Sequence, residues 1–460
     1  MSRRANATIL QMAAPLVVSF WMRSLFAVVD TFYAGTLGDA AVAAIGLTLP
    51  FELAMIAVWV GLSTGLTSNL ARAMGARDEA RIQQALATTW RLVYCVMPVF
   101  ALLGGACWVF APRIAGSEAL ARPFAIYSAV LLVGSAATTF WSVVPDSLVK
   151  AHNDTHATMW AGIWSNVINV VLNTLFTFVF HWGIFGIGFS TVLGRFGGLA
   201  YALRRAARHE RERKAGDGVT EAPARGPADP RPYRAILRLA VPSSLAYLLM
   251  GVETAVVNGL LTRQPQPTEA VAALTLFNYY LRLAVTPAIA TAVAMLPYVA
   301  RHFGARDVDG IRRGVRDALR AGLVYSLLLV PVMLLAAGPL ARAQTKSEVA
   351  AALATDALRL IPLATLLGMP FFLCRPAFEG MGVARPGLVV ALLRYLGLTA
   401  PLAWLGVATA GALHLPALYG AILGLMAATA ISSTVLLRWM RSVLRTLPRE
   451  WAQPLPSPVP

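Results

Sequence analysis

The chain has 460 residues, of which 57% are hydrophobic and 13% charged, with a mean hydropathy of +0.64. Soluble proteins carry about 25% charged residues, so this composition excludes a soluble enzyme and marks a membrane protein. The 39 Lys and Arg against 22 Asp and Glu give a formal charge of +17; the basic residues lie between apolar runs rather than in one stripe, so they read as topology signals and not as a nucleic-acid surface.

Apolar runs long enough to cross about 30 Å of hydrocarbon occur at residues 8–33, 41–70, 88–111, 123–149, 157–180, 186–207, 236–262, 269–299, 318–341, 351–376, 387–412 and 417–440. The first follows Arg3-Arg4 but is too long for a signal peptide and continues through Asp30 without a cleavage site. Counting the basic residues at the ends of spans with the loops they adjoin, the N-terminus, the loops after even-numbered spans and the tail hold 27 Lys and Arg, and the loops after odd-numbered spans hold 5. This bias places both termini in the cytoplasm and requires an even number of spans, as twelve is. The expected organisation is all-α: an N-terminal six-helix lobe over 1–208, a cytoplasmic linker rich in Arg, Glu, Gly and Pro over 209–233, a C-terminal six-helix lobe over 234–446 and a cytoplasmic tail over 447–460. Cys95, Cys107 and Cys374 sit in apolar runs without metal-ligand or disulfide spacing.

The two halves are duplicates. Ala71-Arg72-Ala73-Met74-Gly75-Ala76-Arg77-Asp78 aligns with Ala300-Arg301-His302-Phe303-Gly304-Ala305-Arg306-Asp307 at an offset of 229, and Ala41-Val42-Ala43-Ala44-Ile45 matches Ala270-Val271-Ala272-Ala273-Leu274 at the same offset. Pro15 finds Pro242 two residues out of register. Six spans per half make the repeats parallel, an arrangement suited to alternating access. No short repeated filter loop or ring of like charges speaks for a channel.

A charge at the bilayer centre costs at least ~2.5–3.5 kcal/mol, so it needs a partner, water or a function. The acids inside the spans are Asp30, Glu52, Asp146 and Glu253; the bases are Arg23, Arg91, Arg195, Arg282, Arg359, Arg375 and Arg394. Asn166, Asn169 and Asn173 form a polar stripe on the fifth span, with Thr177 a turn further. Such a stripe either bonds neighbouring helices or lines a hydrated cavity in which Asp30 changes protonation. Glu52 and Glu253 are lesser candidates, with Arg23 or Arg282 as expected partners. Pro15 removes a hydrogen bond from the first span and is a candidate bend, static or moving. Phe51, Met55 and Met159 are candidate lining residues for flat apolar cations. No phosphate-binding loop, metal triad or nucleophile elbow occurs, so neither an ATP-driven pump nor an intramembrane enzyme is supported.

Pro15, Val29-Asp30-Thr31-Phe32-Tyr33-Ala34-Gly35, Leu37-Gly38 and Ala43-Ala44-Ile45-Gly46-Leu47 resemble the opening of the multidrug and toxic compound extrusion (MATE) family. The repeated Gly-Ala-Arg-Asp loops and Glu379-Gly380-Met381-Gly382 resemble its later pattern, and Pro242-Ser243-Ser244-Leu245 with Asn258 resembles its DinF-like branch. The resemblance implies two six-helix lobes around a V-shaped cavity, a monomer in the cytoplasmic membrane among its lipids, and export of organic cations or other amphiphiles against H+ or Na+, with no cofactor beyond that ion. It implies Asp30 as proton site, Asn169 through Asn173 in place of the family's fifth-helix pattern, and Thr191 as the sixth-helix threonine. This sequence departs where Asn173 replaces a second Asp; an amide cannot release a proton, and Glu52 is the candidate substitute. In the second half Glu253, Asn258, Asn278 and Arg282 are candidate substrate residues. No acid lies between Asp356 and Glu379, which argues against the sodium site of the other branch and for proton coupling in the first lobe. The alternatives are Na+-coupled efflux and a flippase for lipids or lipid-linked sugars.

Overall fold

The structure is a computed structural model describing residues 8–216, 230–263, 267–345 and 347–452. Most of the expected linker and the end of the tail lie outside these, as do the side chains of Arg23 and a few neighbours. Among the described residues, eleven helices are long and apolar enough to cross a membrane. The remaining span is α1, Ile9–Leu37, whose apolar opening is Ile9–Met22. Contacts divide the chain into two units, Met1–Ser244 and Leu245–Pro460.

Unit 1 holds α1, α2 (Asp39–Gly75), α3 (Glu79–Ala115), α4 (Glu118–Trp141), α5 (Val143–Ala151), α6 (Thr155–Thr174), α7 (Gly183–Gly216) and the start of α8 (Pro232–Leu261). The fourth span is one expected run broken at Ser142 into α4 and α5, and the fifth ends in a π-helical turn, Leu175–Val179. The helix α1 runs through Pro15 without interruption and is started by a Thr8–Gln11 capping box. Small residues let the helices close up. A Cβ on Gly194 would stand 2.7 Å from the Ser165 carbonyl, and one on Gly198 2.8 Å from that of Ala161, so α6 and α7 touch backbone to backbone. Tyr33, Phe124, Leu131 and Ile187 belong to the apolar core beside this seam.

Unit 2 continues α8 and adds α9 (Pro267–Gly304), α10 (Val308–Gln344), α11 (Glu348–Arg359), α12 (Ile361–Gly380), α13 (Arg385–Leu392), α14 (Thr399–Ala412) and α15 (Ala417–Ala452). Here the tenth span is broken at Leu360, and the eleventh carries a π-helical segment, Leu393–Leu398, between α13 and α14. Leu274, Phe277, Leu358, Leu418 and Ile422 build its core. In this unit α14 and α15 meet backbone to backbone, where a Cβ on Gly420 would lie 2.0 Å from the Gly406 carbonyl oxygen. Gly420→Ala is expected to lower stability by about 3 kcal/mol or more through overpacking. Gly411→Ala, which meets nothing within 4 Å, is expected to be neutral or stabilising because Ala suits a helix better. Melting of both variants in detergent checks this; equal midpoints would refute it.

The repeat is visible in backbone geometry. Arg77 and Arg306 both have φ of 56°, and Asn153 and Gly382 are likewise left-handed, both pairs at the offset of 229. Each ends a helix by the same closing bond, from Asp78 N to Ala73 O (2.9 Å), Asp307 N to His302 O (2.8 Å), Asp154 N to Val149 O (2.9 Å) and Val383 N to Phe378 O (2.9 Å). Asp78 and Asp307 then cap the helices α3 and α10: Asp78 accepts from the Arg81 amide and Asp307 from that of Gly310.

Candidate functional site

Asp30 is 4% exposed and three of the expected residues converge on it. Asn169 and Asn173 are one turn apart on α6 and so share a face. The Asn173 amide donates to Asp30 Oδ1 at 2.9 Å and that of Asn169 to the same oxygen at 3.3 Å. From α7, the Thr191 hydroxyl donates to Asp30 Oδ2 at 2.6 Å. The amides are themselves placed: Ser190 donates to Asn173 Oδ1 at 2.7 Å, and Asn169 also donates to Thr191 at 3.1 Å. Ser165 donates to the Gly194 carbonyl at 2.8 Å, which fixes the α6–α7 seam beside them. Nearby, the Tyr33 and Thr174 hydroxyls lie 2.6 Å apart and tie α1 to α6 once more. Among the described residues no Lys, Arg or His forms an ion pair with Asp30.

Two expected members stand apart. Asn166 turns back on its own helix and donates to the Gly162 carbonyl at 2.9 Å, leaving Asp30 to its two neighbours. Glu52 is paired with Arg195, which is one turn beyond Thr191 on α7. Thr177 is buried with its hydroxyl unpartnered among the described residues. Of the lining candidates, Phe51 packs on Phe124 with centroids 6.4 Å apart, Met55 is wholly buried and Met159 half-buried. In unit 2, Asn258 and Asn278 are half-buried and Arg282 is exposed. Glu253 is not beside Arg282: its carboxylate faces Arg394, 3.4 Å away.

Sequence reasoning noted Asp146 and Arg375 but gave them no partners. Lys150 donates to Asp146 at 2.5 Å, with the two side chains 10% and 12% exposed, and lies over the Trp59 ring at 5.5 Å. Arg375 donates to Glu379 at 3.0 Å, with the two side chains 18% and 7% exposed. Asp146 and Arg375 are 229 apart, as are Lys150 and Glu379. Each unit thus holds the same one-turn ion pair with its polarity reversed, a signal the alignment carried in two residues of unlike sign. Among the described residues no group of three or more His, Cys, Asp or Glu is arranged to hold a metal ion.

Twelve helical spans in two repeated units, with carboxylates held inside the spans by side chains of other spans, define a membrane transporter. The MatE family model matches residues 15–175 and 242–405, more than half of the chain, and this protein belongs to the multidrug and toxic compound extrusion (MATE) family of transporters. It is 23% identical over 323 residues to a probable multidrug resistance protein of Bacillus subtilis, covering 69% of this chain and 68% of that one. It is 22% identical over 351 residues to an FAD transporter of Shewanella oneidensis, covering 74% and 75%. A crystal structure of a MATE protein in a bent conformation superposes with a TM-score of 0.84 at 20% identity, covering 97% of this chain and 96% of that one.

Proposed function

We propose that this protein exports cationic or amphiphilic small molecules across the cytoplasmic membrane in exchange for H+, with Asp30 as the coupling carboxylate and both termini in the cytoplasm. The observation that carries the reading is the set of partners around Asp30, which is buried and bonded by neutral donors from α6 and α7. Bonds to an ionised acceptor are about twice as strong as neutral ones. Protonating Asp30 therefore weakens three ties between α1 and its neighbours together, and the acid gains a proton that the Thr191 hydroxyl or an amide oxygen accepts. A change of charge at one atom thus becomes a change in how firmly α1 is held, which is the kind of local event that biases a two-state element.

The multidrug relatives support small amphiphilic cargo, and the FAD transporter adds nucleotide-like aromatics to the classes worth testing. Purified protein in liposomes, followed by efflux of a fluorescent cationic dye under an H+ gradient and separately a Na+ gradient, tests the reading. Efflux with H+ alone is expected; efflux with Na+ alone would overturn proton coupling, and none under either would overturn the antiporter reading. Asn173→Asp is expected to shift the pH dependence of efflux, because a second carboxylate then faces Asp30 at about the distance of the present amide and the two must share protons. An unchanged profile would make Asn173 a positioning residue only.

A further inference from the structure

Unit 2 repeats, with other chemistry, what α1 and α6 do in unit 1. The first span of each half supplies an acid and the fifth supplies its partners: Asp30 against Asn169 and Asn173, and Glu253 against Arg394 and Thr399. In unit 2 the fit is loose. Arg394 Nη2 lies 3.4 Å from both Glu253 oxygens, and the Thr399 hydroxyl 3.5 Å from one of them, whereas a charged pair of this kind closes to about 2.7–2.9 Å. Nε and Nη1 of Arg394 have no acceptor among the described residues, although the side chain is only 10% exposed. A guanidinium carries five donors and is expensive inside a membrane span. One long contact to a carboxylate that is itself 20% exposed leaves most of that capacity unused.

Aromatic rings flank the guanidinium. The guanidinium carbon stands 4.8 Å from the Phe371 ring centre and 5.0 Å from that of Tyr395, and the two rings meet edge to face at 6.1 Å. The Thr399 hydroxyl donates to the Arg394 carbonyl at 2.8 Å, so the wide π turn that carries Arg394 and Tyr395 is braced from within. A guanidinium set among aromatic rings gains cation–π attraction without using its N–H groups, and its fork matches a planar carboxylate.

We propose that Arg394, with Phe371 and Tyr395, is a recognition site in unit 2 for the carboxylate of a planar aromatic amphiphile, and that Glu253 is the internal anion this carboxylate displaces. The proposal rests on the transport reading for its cargo: it narrows that cargo to zwitterions, a cation joined to an aromatic acid. Glu253 holds the guanidinium weakly when the site is free, and a ligand carboxylate that reaches the guanidinium takes over the pairing.

Tetramethylrhodamine and its methyl ester share one cationic aromatic scaffold and differ in the acid. Binding of both to detergent-purified protein, read by fluorescence anisotropy without any ion gradient, gives the ratio of acid to ester affinity. The wild type is expected to favour the acid by about tenfold, the size of one good charged contact. Arg394→Gln is expected to bring the ratio to about one, and Glu253→Gln, which removes the competitor, to raise it above wild type, a gain that misfolding cannot produce. A wild-type ratio near one, or a ratio that neither variant moves, would overturn the proposal. Because no gradient enters this measurement, a failure of ion-driven efflux sinks the antiporter reading alone, while normal efflux with a flat ratio sinks the Arg394 site alone.

Discussion

Asp30→Asn is expected to fold as the wild type does and to lose H+-driven efflux. The Asn side chain has the same shape, and its oxygen can keep the bonds from Asn169 and Asn173 that now reach Asp30 Oδ1 at 3.3 and 2.9 Å. Its NH2 group then faces Thr191, whose hydroxyl can accept instead of donate. The groups now bonded to Asp30 therefore keep partners, while on the proposed coupling the proton has nowhere to bind. Asp30→Ala separates structure from coupling: it strands the buried Asn173 amide at about 1–3 kcal/mol and leaves a cavity, while Thr191 keeps the Ile187 carbonyl and Asn169 keeps Thr191, so its melting point should fall below that of Asp30→Asn. Melting curves and liposome efflux for the two variants decide the matter. Efflux at the wild-type rate in Asp30→Asn would remove Asp30 from the mechanism.

Lys150→Met is expected to be among the most damaging single changes in unit 1, at about 3–5 kcal/mol, because it leaves a buried carboxylate without its cation. Ser63 and Thr158 also reach Asp146, each at 3.4 Å, too far to neutralise it. Adding Asp146→Asn to Lys150→Met should recover much of the loss, since no unpaired charge then remains. The double exchange Asp146→Arg with Lys150→Glu copies the arrangement found in unit 2 and should melt above either of its single components. Detergent melting and expression level measure these differences; a double exchange no better than its singles would show that the two units do not tolerate the same pair.

The fold was legible because membrane spans announce themselves by length and composition, and the repeat because the Gly-Ala-Arg-Asp turns need the same left-handed closure twice. Asp30 stood out for a similar reason: a carboxylate in an apolar run is conspicuous, and the spacing of Asn169 and Asn173 already placed them on one face. What stayed hidden depends on contacts between distant segments. Glu52 and Arg195 are 143 residues apart and Glu253 and Arg394 141 apart, and no local pattern selects those partners from several in-span bases. Asn166 shows the opposite limit: the period put it in the stripe, yet its side chain satisfies itself on Gly162. The breaks at Ser142 and Leu360 and the two π segments have no composition of their own, because backbone spacing inside an apolar run is decided by packing.

Each π segment has a bearing on how the chain can vary. Its bonds run from residue i to i+5, as from Phe180 N to Leu175 O at 3.0 Å, so it holds one residue more than an α turn of the same span. Removing one residue between Leu393 and Leu398 would let the wide turn relax to α geometry, while the helical parts on either side keep their lengths and their facing. The eleventh span can thus lose a single codon without being broken. A one-residue change elsewhere in a span turns everything beyond it by about 100° and rotates a sealed face into lipid; here it would instead re-aim Arg394 and Tyr395, so that on the recognition role proposed for them inherited variation at this wide turn would alter the cargo before it altered the fold.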